Sequence, residues 1–102
     1  MAPLADSADN RRAFRKGVKL RAQLRGRGTP KFDIQVVDLS TSGFRAEVVF
    51  TLRDGETVWM TLPGLAALEA KVAWKSGHLY GFAFANPLHP AVFDHITRLS
   101  HA

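Results

Sequence analysis

Val18-Lys19-Leu20-Arg21-Ala22-Gln23-Leu24-Arg25 alternates apolar and polar side chains without interruption. Successive side chains of an extended chain point to opposite faces, so this stretch predicts a strand with one buried face and one basic, solvated face. Working outward, Gly26 to Pro30 carries turn chemistry, and Phe32 to Ser40 reads as a second strand. Thr41, Ser42 and Gly43 make a tight connection into a third strand, Phe44 to Phe50. Arg53-Asp54-Gly55-Glu56 turns into Thr57 to Leu62, which Pro63 and Gly64 end. Leu68 to Trp74 reads as a fifth strand with Leu68, Ala70, Val72 and Trp74 on one face. Lys75 to His78 then turns into a sixth, Leu79 to Ala85.

Pro87 and Pro90 close the strand region. Beyond them Val92, Ile96 and Leu99 recur at helical spacing, predicting a short amphipathic helix over residues 90–101 with Pro90 in its first turn. Short strands with turn signals every ~8–12 residues indicate an antiparallel barrel or sandwich. The helix would cover an open end or a sheet edge, where unpaired strands are a liability. Residues 1–10 read as a flexible tail, with Pro3, small polar residues and no periodicity.

The chain has 102 residues, one domain's worth, and its core is too small to enclose a deep catalytic cavity. It has no cysteine, which removes disulfides, thiolate metal sites and a cysteine nucleophile. Met1 to Asn10 carries Asp6 and Asp9 and lacks the apolar stretch of a secretory signal. No apolar run approaches bilayer-spanning length. These features predict a soluble, cytoplasmic protein without a membrane partner.

Nine of the fourteen Lys and Arg residues lie between Arg11 and Lys31, with no Asp or Glu among them. Such a block suggests an anionic partner, although on charge alone a solubilising face or a non-specific nucleic-acid arm explains it better. Within it, Arg11 and Arg15 are four residues apart and can bracket an acceptor-rich ligand. Arginine's planar fork matches phosphate, or the O6 and N7 edge of guanine. Arg12 and Lys16 beside them either add electrostatic attraction without specific geometry or are simply solvated, the second being slightly favoured.

A second constellation is Asp38-Leu39-Ser40-Thr41-Ser42-Gly43. Asp38 and Ser40 are two apart at a strand end and project from one face, with Leu39 pointing the other way. A carboxylate and a hydroxyl presented together can accept from base N–H groups and donate to phosphate. Gly43 permits either a close backbone approach or a positive φ. The competing reading is a turn in which Asp38 and Ser40 cap their own backbone.

Arg-x-x-x-Arg followed by Asp-x-Ser-x-x-Gly, here Arg11 and Arg15 with Asp38, Ser40 and Gly43, resembles the signature of the PilZ domain family. Ala73-Trp74 and then Gly81-Phe82-Ala83-Phe84 resemble that family's late hairpin, so the likeness runs from about residue 10 to the C-terminal helix. It implies a six-stranded antiparallel PilZ-type β-barrel: an arginine arm at 11–16, a barrel over about 17–86 and a helix over about 90–101, all in one domain at 11–102. It further implies a receptor for cyclic di-GMP that catalyses nothing and needs no cofactor. The arm would fold over the ligand, Asp38 and Ser40 would contact a guanine and nearby ligand atoms, and Trp74 would lie beside the nucleotide. A core position for Trp74, on a face shared with Val72 and Ala70, is the alternative. Ligand binding would order the arm and alter a surface for a downstream protein. The position before Arg11, where the family often has a further arginine tied to an intercalated ligand dimer, is Asn10, which leaves the ligand count open and leans toward one.

Other chemistry finds little support. His78, His89, His95 and His101 share no helix face and do not suggest a metal site. Ser40 lacks a nucleophile elbow and an evident base, and no phosphate-loop motif occurs. A barrel acting only as a protein-interaction module, and a general nucleic-acid binder, remain as alternatives, the latter ranking last.

Overall fold

A computed structural model describes residues 16–100. Its elements are β1 (Lys16–Gly26), β2 (Phe32–Leu39), β3 (Gly43–Glu47), β4 (Thr57–Thr61), β5 (Leu68–Ser76), β6 (Leu79–Phe84) and α1 (Pro90–Arg98). The strands close into an antiparallel barrel in the order β1-β2-β3-β6-β5-β4, which leaves no free edge. Of the two architectures open to the sequence, the barrel is the one formed. β1 has the expected alternation, with Val18, Leu20, Ala22 and Leu24 buried and the residues between them exposed.

The interior is filled from both ends. Helix α1 follows β6 and sends Phe93 and Ile96 into the core, with Val92 and Leu99 packed at its margin. The inward stripe thus centres on Phe93, which the spacing of Val92, Ile96 and Leu99 does not single out. His89 caps the helix, its Nδ1 accepting from the Ala91 N–H at 3.0 Å, and Pro90 occupies the first turn. The helix ends at Arg98, short of the predicted residue 101. Beyond it the Ser100 Oγ accepts from the Lys19 N–H at 2.9 Å. The β1–β2 register shifts between Gly17 and Leu20, so Lys19 donates to the helix end and not to β2.

At the opposite end the β3–β4 connection folds over the opening and buries Leu52. The Tyr80 hydroxyl accepts from the Leu52 N–H at 3.0 Å and donates to the Phe50 carbonyl at 3.3 Å. The third strand therefore stops at Glu47, not Phe50: the chain turns across the barrel mouth, leaving Val49 and Phe50 exposed. The second, fourth and sixth strands each end one residue earlier than predicted, and β5 runs two further, to Ser76. Its turn into β6 is the pair Gly77-His78, with Gly77 at φ +60° supplying the left-handed first position of a two-residue hairpin loop.

One assignment is reversed. Trp74 does not share the inward face of Ala70 and Val72. The β5–β6 register shifts between Val72 and Trp74, and this bulge turns the indole outward, where the residue is 42% exposed.

Candidate functional site

The ladder registers place four residues in one transverse row. Asp38 on β2 faces Arg45 on β3, Arg45 faces Gly81 on β6, and Gly81 faces Trp74 on β5. Three inter-strand spacings separate Asp38 from Trp74, about 14 Å. Gly17 on β1 faces Asp38 and extends the row to the start of the first strand.

The side chains along this row differ in kind. Asp38 is 5% exposed, and Arg45 NH2 forms an ion pair with its carboxylate across the ladder. Gly81 has no side chain, and the Trp74 indole occupies the vacated space: a Cβ on Gly81 would overlap the ring. The row thus carries a negative group, a positive group and an aromatic plate. Beneath it the Phe44 and Phe82 rings stack 4.6 Å apart, filling the barrel behind the site.

The β2–β3 turn closes one side. Ser40 Oγ accepts from the N–H groups of Ser42 at 3.2 Å and Gly43 at 3.1 Å, and lies 3.1 Å from Ser42 Oγ and 3.3 Å from the Gly43 carbonyl. Its backbone N–H donates to the same carbonyl at 2.9 Å. For Ser40, then, the turn-capping reading describes the geometry, whereas Asp38 is engaged by a side chain on the next strand. Gly43 does not have a positive φ. It is a close-approach glycine, because a Cβ there would run into the Phe82 carbonyl on β6.

A surface groove of ≈ 220 Å³ runs along the row, lined by Asp38, Ser40, Ser42, Arg45, Trp74 and Gly81 among others. The structure therefore brings Asp38, Ser40, Gly43 and Trp74 to one place. Arg11, Arg12 and Arg15 lie outside the described residues. Sequence reading missed Arg45, Ser42 and the role of Gly81. Arg45 was recoverable only through the register of the β2–β3 hairpin. The predicted strand ends would set Asp38 opposite Ala46, one position away.

A family model described as PilZ domain matches residues 9–102. The chain belongs to the PilZ domain family. Members are in general cyclic di-GMP receptors, binding domains and not enzymes. The crystal structure of the PilZ domain of CeSA from a cellulose-synthesizing bacterium is similar, with a TM-score of 0.63 and 14% identity over 82% of this chain and 94% of that one. At that identity the likeness shows the fold. No curated protein matches the sequence. Among the described residues of this PilZ domain, no helix is long and apolar enough to cross a membrane.

Proposed function

We propose that this PilZ domain is a receptor for cyclic di-GMP that binds its ligand on the outer face of β2, β3, β6 and β5. The observation that carries the reading is the transverse row, with a buried carboxylate at one end and an exposed indole resting on a glycine at the other. Cyclic di-GMP has two guanines and two phosphates. A guanine offers N–H donors to a carboxylate and a π-face to an indole. An ionised carboxylate has about four lone-pair sites, so Asp38 can hold Arg45 and a base edge together. Arg45, half-buried beside it, points a guanidinium into the same groove.

The groove is shallower than the ~300–1,000 Å³ typical of sites that enclose a small ligand. Arg11, Arg12 and Arg15 complete it in this reading. Gly17, opposite Asp38, is two residues from Arg15, so the backbone between them spans at most about 7 Å. Arg15 then meets phosphate or a guanine edge at the Asp38 end, and Arg11, four residues further out, reaches over the ligand. Ser40 acts by fixing the turn and Gly43 by letting β6 approach. Arm and ligand together form a surface absent from the unliganded barrel, and a downstream protein reads that surface.

Calorimetric titration tests the assignment. The full chain binds cyclic di-GMP, and Arg15→Ala and Asp38→Ala each remove most of that binding. Affinity unchanged by both substitutions overturns the site. Absence of any binding by the unmodified chain favours a PilZ module that recognises protein without nucleotide.

A further inference from the structure

β1 presents Lys19, Arg21 and Arg25 on its outer face, and Arg27 follows just past its end; all four are exposed. Their strand neighbours supply little compensating charge. Arg21 faces Gln35 on β2, Gln23 faces Asp33 on β2 and Thr61 on β4, and Arg25 faces Trp59 on β4. Among the described residues the ion pair formed is that of Asp38 with Arg45, on another face, so within that set these four cations have no carboxylate within ion-pair distance. In the barrel order β1-β2-β3-β6-β5-β4, the β1–β4 face lies across the barrel from the β3–β6 centre of the groove. The stripe begins two residues past Gly17, the β1 end of the groove's row, and runs away from it along the strand, so Arg21, Arg25 and Arg27 lie beyond the nucleotide groove.

We propose that this stripe docks an acidic segment of a partner protein, laid in extended form along β1. Charge complementarity is the first argument: a row of exposed cations, none of them ion-paired among the described residues and with Asp33 the carboxylate on the facing β2 ladder, answers a row of carboxylates. Pitch is the second. Outward side chains on β1 recur every ~6.6 Å, and an extended peptide presents its own alternate side chains at the same interval. Closure of the barrel adds a constraint. With no free edge, a partner cannot join as a further strand and must bind through side chains across the face.

Single-stranded nucleic acid fits the same face less well. Such binding draws on aromatic rings free to stack with bases. Trp59, which faces Arg25 on the ladder, is half-buried, and the Arg25 guanidinium already lies 4.9 Å from its ring centroid; the exposed Phe50 lies at the far end of β1, past Gly26. The contact with Trp59 also holds Arg25 in place.

Fluorescence anisotropy with the full chain tests the proposal, using a labelled peptide of alternating Glu and Ser and an oligothymidylate of equal charge. The expected result is salt-sensitive binding of the peptide, tighter than that of the oligonucleotide. Arg21→Glu with Arg25→Glu weakens it by at least about tenfold. Arg53→Glu with Lys71→Glu, which changes net charge equally at exposed positions off the stripe, leaves it nearly unchanged. Arg21→Gln with Arg25→Gln gives the same loss in smaller measure, and serves if charge reversal disturbs folding. No peptide binding at low salt, tighter binding of the oligonucleotide, or equal loss in the off-stripe pair overturns the proposal.

Discussion

The indole of Trp74 rests on Gly81, its ladder partner on β6, in space that any other residue would fill with its own Cβ. A bulge in β5 delivers the ring to the outer face, and the missing side chain lets it settle against the sheet. Bulge and glycine act as one device that converts an apparent core position into a plate beside a buried carboxylate.

Gly81→Ala therefore displaces the ring without removing it. Cyclic di-GMP affinity should fall by about 1–3 kcal/mol, the range associated with stacking one base on an aromatic side chain. Trp74→Ala should lose a similar amount. Because more than half of Trp74 is covered against the sheet, its removal should also cost about 1–3 kcal/mol of folding stability, so affinity is compared under conditions where both proteins are folded. Calorimetry gives the affinities and chemical denaturation the stabilities. In a Trp59→Phe background, Trp74 fluorescence reports the displaced ring directly. Full affinity in Gly81→Ala with an altered spectrum would show that the ring's seat is irrelevant to binding.

Asp38 and Arg45 face each other across the β2–β3 ladder, one 5% exposed overall and the other with 41% of its side chain exposed. Their coupling should fall between the ~0.2–1 kcal/mol of exposed pairs and the ~3–5 kcal/mol lost when a buried pair is broken. A double-mutant cycle on Asp38→Asn and Arg45→Gln, followed by urea denaturation, should give about 1–2 kcal/mol. The ligand readout separates structure from recognition. If Arg45 positions the carboxylate for a base, Arg45→Gln weakens cyclic di-GMP binding by more than its cost in folding stability, and Arg45→Lys recovers part of it.

Much of the barrel was legible because its signals are local. Period-two alternation marks β1, and turn residues mark the hairpins without reference to anything distant. Strand boundaries failed where a long-range contact decides them: β3 ends at Glu47 because Tyr80, more than thirty residues away, holds the following loop over the barrel mouth. Asp38, Ser40 and Gly43 were recognisable as a motif, but their division of labour was not. Ser40 caps the turn, Asp38 engages the next strand, and Gly43 yields space to Phe82. Trp74 was misplaced by alternation itself, since a bulge shifts the face by one residue while leaving the sequence pattern intact.

Tyr80 offers a test of the fold that is independent of the ligand. It is 2% exposed, and its hydroxyl is the acceptor for the buried Leu52 N–H and a donor to the Phe50 carbonyl. Tyr80→Phe keeps the ring and removes both bonds, leaving the Leu52 N–H without its partner inside the protein. That should cost about 1–3 kcal/mol, more than the ~1 kcal/mol net value of an ordinary hydrogen bond. The loop it pins closes the end of the barrel away from α1, so the loss should appear first as faster amide exchange at Leu52 and Val48. Cyclic di-GMP affinity should hold, because the hydroxyl faces the barrel mouth and the ligand groove lies on the outer wall. Denaturation, hydrogen exchange and titration of the one variant check all three statements. A stable Tyr80→Phe with unchanged exchange at Leu52 would mean that burial of the Leu52 side chain alone keeps the loop closed.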